Sequence, residues 1–224
     1  PTTRDSFQLK EGMDYDKKLL SFKVDFKKPG MSEGAKGSCI HFAGAADWKG
    51  FWMNPHDSGD KLQIVSHSAY TGDDNYDVVE IDKDTAGVTS FVDNAFTIQM
   101  AIDFVETEVT GCVDIHMDVY INGKLCAEKE FTNCQSSYLG NYLAIDRYET
   151  GASIIVDNVI FGGNELEDSD QTTDVIKVEG FTNISVADFV DASGNVMESK
   201  EYAYTMNPTT RDSFQLKEGM DYDK

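Results

Sequence analysis

The chain has 224 residues, 40 of them Asp or Glu against 19 Lys or Arg, giving a formal net charge of −21. That balance excludes nucleic acid and anionic membrane as partners, because both are held by basic surface. No run approaches the roughly 20 consecutive apolar residues of a membrane-spanning helix, and a hydrophobic content of 40%, with 11% aromatic residues, suffices for a sizeable core.

The chain opens on PTTRDSFQLKEGMDYDK, and the same seventeen residues return unchanged at 208–224. The period of 207 residues far exceeds the ~20–50 residues of solenoid repeats and is long enough for a domain. The expected organisation is therefore domains in tandem, with identical neighbouring repeats or subunits as partners. Accidental duplication is the competing explanation. Residues 1–14 should end an inter-repeat β segment and 15–163 should form the main domain. Residues 164–207 read as an acidic linker plus a further β segment, and 208–224 as the start of the next unit. In SFQLK, Phe7 and Leu9 share one face, as do Phe214 and Leu216, which predicts a strand covered on one side.

From 20 to 26, Leu20, Phe22, Val24 and Phe26 alternate with polar residues, which predicts a half-buried strand. Residues 39–42 form a short strand, followed by a Gly-rich loop carrying Trp48. Residues 51–54 and 62–65 read as two arms of a hairpin. The stretch TGDDNYD at 71–77 is dense in oxygen donors and could take structural Ca²⁺ through Asp73, Asp74 and Asp77. It lacks EF-hand spacing, and such clusters are usually plain turns. Residues 96–104 alternate cleanly again.

Asn122-Gly123 is the strongest hairpin signal in the chain. A three-residue loop pairing Val119 with Leu125 and Met117 with Ala127 keeps one face apolar, whereas a two-residue loop mixes the faces. On that register Cys112 and Cys134 approach each other and form the best candidate disulfide among the four cysteines. An even cysteine count of this kind points to an oxidising compartment, hence an extracellular or cell-surface location. Residues 139–145 and 153–161 are two further strands. The 164–207 segment is too small to hold a core alone. Val175, Phe181, Phe189 and Tyr202 should be buried against a neighbouring unit. Asn183-Ile184-Ser185 is a glycosylation triplet.

The hairpin VYINGKL at 119–125 and the strand IIVDNVIFG at 154–162 resemble the concanavalin A-like jelly-roll superfamily, which includes laminin G-like domains and carbohydrate-binding modules. The resemblance implies an all-β fold, an antiparallel sandwich, and a calcium-supporting role for Asp157. It also sets out two kinds of site. Hydrolases of this superfamily place alternating carboxylates on one strand. Here Asp114, His116 and Asp118 stand in that arrangement, but with His between two Asp instead of Asp between two Glu, so a charged solvent face and no enzyme activity are expected. Lectin-like members stack sugars on aromatic rings, and Trp48, Trp52, Tyr70, Tyr76, Tyr138 and Tyr142 are the candidates, with Trp52 equally suited to core. The leading expectation is a non-catalytic structural repeat joined through strand contacts to its neighbours. A glycan-binding adhesin comes second and a glycoside hydrolase a distant third.

Overall fold

A computed structural model describes residues 3–9, 14–27, 39–46, 49–67, 76–147, 153–162 and 189–191. The fold is an all-β sandwich of two antiparallel sheets. Its strands are β1 (Thr3–Leu9), β2 (Lys18–Lys27), β3 (Cys39–Gly44), β4 (Phe51–Pro55), β5 (Lys61–Ser66), β6 (Asp77–Asp82), β7 (Phe96–Glu106), β8 (Cys112–Ile121), β9 (Lys124–Gln135), β10 (Tyr142–Arg147), β11 (Ser153–Gly162) and β12 (Phe189–Asp191). One sheet runs β12-β1-β10-β3-β4-β5-β6 and the other β11-β2-β7-β8-β9. Helix among the described residues amounts to the short α1 (Lys83–Ala86) and one 3₁₀ turn at Ser136–Tyr138.

Alternation builds the core. Leu20, Phe22, Val24 and Phe26 of β2 point inward beside Phe96, Ile98, Met100 and Ile102 of β7, and all are buried. Facing them from the other sheet are Ile40, Phe42, Phe51, Met53, Leu62 and Ile64. Phe51 and Phe131 meet edge-on across the gap, with ring centroids 5.0 Å apart. Each such ring removed from water stabilises the fold by roughly 1.5–3 kcal/mol before ordering costs. At the open side of the sandwich, the Lys129 ammonium lies 5.4 Å from the Phe131 ring centroid and 2.6 Å from Asp77, joining the edge strands β9 and β6.

The repeated seventeen residues were expected at the boundary between units. The structure instead places β1 inside the seven-stranded sheet, paired with β10 from Thr3↔Arg147 to Gln8↔Tyr142 and with β12 from Phe7↔Asp191 to Leu9↔Phe189. Phe7 and Leu9 share one face as expected, and that face is the sandwich core. Tyr15, five residues further on than Lys10, is also fully buried. Its hydroxyl donates to the Tyr142 carbonyl at 3.2 Å and its ring stands edge-on to Phe161. Val175, Phe181, Tyr202, Phe214, Leu216 and Asn183 lie outside the described residues, and of Phe189 only the backbone is described.

The β8–β9 register differs from the expected one. Asn122 and Gly123 both have positive φ, 49° and 81°, and make a two-residue turn between Ile121 and Lys124. The faces stay unmixed because a bulge at Val119/Tyr120 shifts the pairing, putting Val119 opposite Ala127 and Ile115 opposite Phe131. A second shift between Val113 and Ile115 sets Val113, not Cys112, opposite Cys134. Adjacent strand residues face opposite sides, so Cys134 sits in the core while Cys112 is half-buried outside it. No disulfide joins any of the four cysteines. The predicted Cys112–Cys134 bridge is thus not formed, and the four cysteines are free thiols.

Candidate functional site

The strands β3, β4 and β5 are buried on both faces, unlike an ordinary antiparallel sheet with one solvated side. One face is the sandwich core. On the other, a row of paired residues crosses five strands: Ala144, His41, Trp52, Val65 and Val78. Trp52 is the centre of this row. The His67 ring packs edge-on against it at 4.0 Å between centroids and the Tyr76 ring at 5.1 Å, while His67 and Tyr76 contact each other at 5.3 Å. His41 approaches Trp52 at 6.4 Å, and its Nε2 lies 3.3 Å from the Cys39 sulfur. These tilted and edge-on arrangements match the quadrupole preference of aromatic rings.

Trp52 is 7% exposed and His41 5%, whereas His67 and Tyr76 are half-buried and Val78 is exposed. The arrangement is a buried indole floor with a more accessible rim. One register along, Gln63 donates through its Nε2 to Asn54 Oδ1 at 2.9 Å, so two buried side-chain amides sit beside the rings. Glu80, opposite Gln63, is held by Lys61 at 2.7 Å, and this bond keeps its carboxyl below the ordinary range. Ring edges, imidazole nitrogens and amides can recognise hydroxyl-bearing ligands. They include no acid–base pair of the kind hydrolysis needs.

The other sequence candidates distribute as follows. Tyr76 belongs to the ring cluster. Tyr138 and Tyr142 lie elsewhere, beside the turn after β3. There Ala45 N–H donates to the Tyr138 carbonyl at 2.8 Å, and Lys49 stands 4.4 Å from the Tyr138 ring centroid. Trp48, Tyr70, Asp73 and Asp74 lie outside the described residues. Asp77 is engaged with Lys129, and Asp157 of β11 pairs through its backbone with Lys23 of β2, the Asp157 side chain lying outside the description. Among the described residues no group of three or more His, Cys, Asp or Glu side chains could hold a metal ion.

Asp114, His116 and Asp118 do share the outer side of β8. Asp114 accepts the Asn133 N–H at 2.7 Å, and His116 Nε2 lies 3.1 Å from Asp118 Oδ1. The sequence reading missed His41 and His67 altogether. The available signal was the near-continuous apolar character of CIHFAG, FWMNP and KLQIVS, which marks strands covered on both sides.

No protein-family model matches the chain, and no curated protein matches it by sequence. Solved structures similar to it include the HCR/D F1240A mutant, at 12% identity and a TM-score of 0.49 over 72% of this chain and 36% of that one. The receptor binding domain of botulinum neurotoxin C/D mosaic serotype is similar at 13% identity and TM-score 0.49, over 73% and 38%. The binding domain of botulinum neurotoxin DC, solved in complex with rat synaptotagmin II, is similar at 13% and 0.43, over 74% and 34%. The chain spans less than two fifths of each of these structures, and likeness at this level says nothing of what this chain binds. Among the described residues no helix is long and apolar enough to cross a membrane.

Proposed function

We propose that this sandwich is a non-catalytic, glycan-binding module of adhesin type, displayed on an extracellular protein. One observation carries the reading: the outward side of the seven-stranded sheet holds Trp52, His67 and Tyr76 in mutual contact, with Asn54 and Gln63 beside them. A sugar ring offers an apolar face for an aromatic ring and hydroxyls for amides and imidazoles, and pockets of this kind combine the two. Absence of catalysis is supported by Asp114, whose carboxylate is occupied by a backbone N–H, and by the Asp118 pairing with His116. Screening the 224-residue chain against an immobilised glycan library tests the reading. Retained glycans should be lost in His67→Ala and Tyr76→Ala, both at half-buried positions. Failure to retain any glycan, or equal retention by both variants, would count against it.

A second reading, a structural repeat unit in a surface array, is favoured by β1. The recurring stretch supplies an internal strand and the buried Phe7, Leu9 and Tyr15, so one sandwich uses one copy of the seventeen. Both readings can hold for one protein. Electron microscopy of a chain carrying several periods would show evenly spaced globules under the second reading, and irregular spacing would contradict it.

A further inference from the structure

The slot that β1 fills is fully specified. It lies between β10 and β12, so a strand in it is hydrogen-bonded on both edges. It needs large apolar side chains where Phe7 and Leu9 stand, 3% and 2% exposed. The Leu9 N–H donates to the Asn141 carbonyl at 2.8 Å, and Asn141 Nδ2 donates back to the Leu9 carbonyl at 3.1 Å. Beyond the strand, Tyr15 is anchored on Tyr142 and Phe161, and Asp16 Oδ1 accepts the Phe104 N–H at 2.8 Å.

Residues 208–224 carry all of these groups again. Phe214 and Leu216 correspond to Phe7 and Leu9, and Tyr222 and Asp223 to Tyr15 and Asp16. A sandwich has one slot, and this chain holds two identical sequences with the side chains it needs. Contacts therefore cannot distinguish them, and only the connecting chain can.

The direction of β12 makes the second copy a close competitor. Leu9 pairs with Phe189 and Phe7 with Asp191, so β12 runs out toward the end of the slot where Thr3 enters. A chain leaving Asp191 and turning back would enter the slot at that end, antiparallel to β12, as a hairpin does. The sequence between Asp191 and Thr210 is eighteen residues, 192–209. The distance is about four residues along the sheet at ~3.3 Å each and one strand spacing of ~4.8 Å across. Eighteen residues can reach roughly 60 Å when extended, which is more than this distance requires. Closing a loop of this length costs little more than closing a short one.

We propose that the β1 slot is an exchangeable strand site, and that residues 210–216 of the same chain occupy it in place of Thr3–Leu9. In a tandem array each copy of the seventeen is then claimed by two sandwiches. The one ahead reaches it through direct continuation into β2, and the one behind through the return from β12. A unit that loses its copy to the unit behind presents an open slot with paired β edges, which is where another copy of the strand would dock.

Three variants of the full chain test this: Phe7→Asp/Leu9→Asp, Phe214→Asp/Leu216→Asp, and the fourfold combination. Near-ultraviolet circular dichroism and thermal unfolding report the sandwich, and light scattering reports its mass. The first two variants should both be folded monomers with closely similar melting temperatures, because one intact copy remains in each. The fourfold variant should lose its cooperative transition or melt far lower. The proposal is overturned if Phe7→Asp/Leu9→Asp is as damaged as the fourfold variant, which would show that the second copy cannot use the slot. Folding of that variant only as a dimer would overturn it too, since the strand would then come from a second chain. A fourfold variant as stable as the wild type would also overturn it, because the slot would then need no apolar strand.

Discussion

Phe51 of β4 and Phe131 of β9 stand edge-on at 5.0 Å between centroids and 68° between planes, and this contact spans the two sheets. Phe51 is also stacked on Phe42 at 5.4 Å, so three rings from three strands lock the sheet spacing. Phe131 is fully buried. Phe131→Ala should therefore cost about 3–5 kcal/mol. Phe131→Leu, which keeps most of the volume, should cost less than half of that. Urea unfolding monitored by circular dichroism checks the order, and a larger loss in the leucine variant would contradict the packing account.

The cysteines give a second prediction. Cys39 and Cys134 are buried, Cys112 and Cys126 half-buried, and none is in a disulfide. Burial also holds the Cys126 and Cys134 thiols above the ordinary range, which disfavours the reactive thiolate. A thiol reagent should find Cys112 fastest in the native chain, then Cys126, with all four reacting only after denaturation. Treatment with reductant should leave the melting temperature unchanged. A reductant-dependent drop would reinstate a disulfide.

Alkaline pH should unfold the chain progressively. Burial pushes the Cys134 thiol up from 9.0 to about 12, opposed in part by a hydrogen bond to Ser66. The folded state keeps this proton where the unfolded chain has released it. Its stabilising contribution is thus complete below about pH 9 and is lost as pH rises toward 12, at up to about 1.4 kcal/mol per pH unit. Tyr15, whose hydroxyl is also raised by burial, adds to the decline above pH 10. Urea midpoints should stay level from pH 7 to 9 and fall beyond, and in Cys134→Ala the fall should be shallower, because Cys126 and Tyr15 remain. Rising midpoints above pH 9 would contradict the assignment.

Gly50 gives a fourth. Its φ is +81°, and a Cβ there would meet the Phe42 carbonyl oxygen and the Ala43 carbonyl carbon at 2.6 Å, both backbone atoms that cannot yield. Gly50→Ala should destabilise by about 1–3 kcal/mol from the backbone conformation, and more from the clash. Gly87→Ala, also at positive φ but with open space around it, should cost only the conformational part. Equal losses at the two positions would remove the steric argument.

Much of this sandwich was legible in the sequence because one face of each strand is buried. The alternation at 20–26 and 96–104 gave β2 and β7 almost to the residue. β6 was passed over because Asp77–Asp82 follows an acidic turn and is too short to show a clear period. The β8–β9 register failed for a different reason. Face consistency was the right constraint, but a bulge satisfied it where a longer loop was expected, and bulges leave no clear mark in composition. The ring cluster was half legible. Tyr76 was singled out as an aromatic and Trp52 as either core or site, but the partners His41 and His67 arrive only through pairing across strands, which spacing along one strand cannot reveal.

The glycan-binding proposal stands on Trp52 more than on any other side chain, and the chain contains two tryptophans. A Trp48→Phe variant leaves Trp52 as the single indole, and its fluorescence can be titrated with a glycan retained by the full chain while calorimetry follows binding independently. The account predicts a saturable change in Trp52 emission whose midpoint matches the calorimetric one, and loss of both in the added Tyr76→Ala. Calorimetric binding with no change in Trp52 emission would place the ligand elsewhere on the molecule and contradict it.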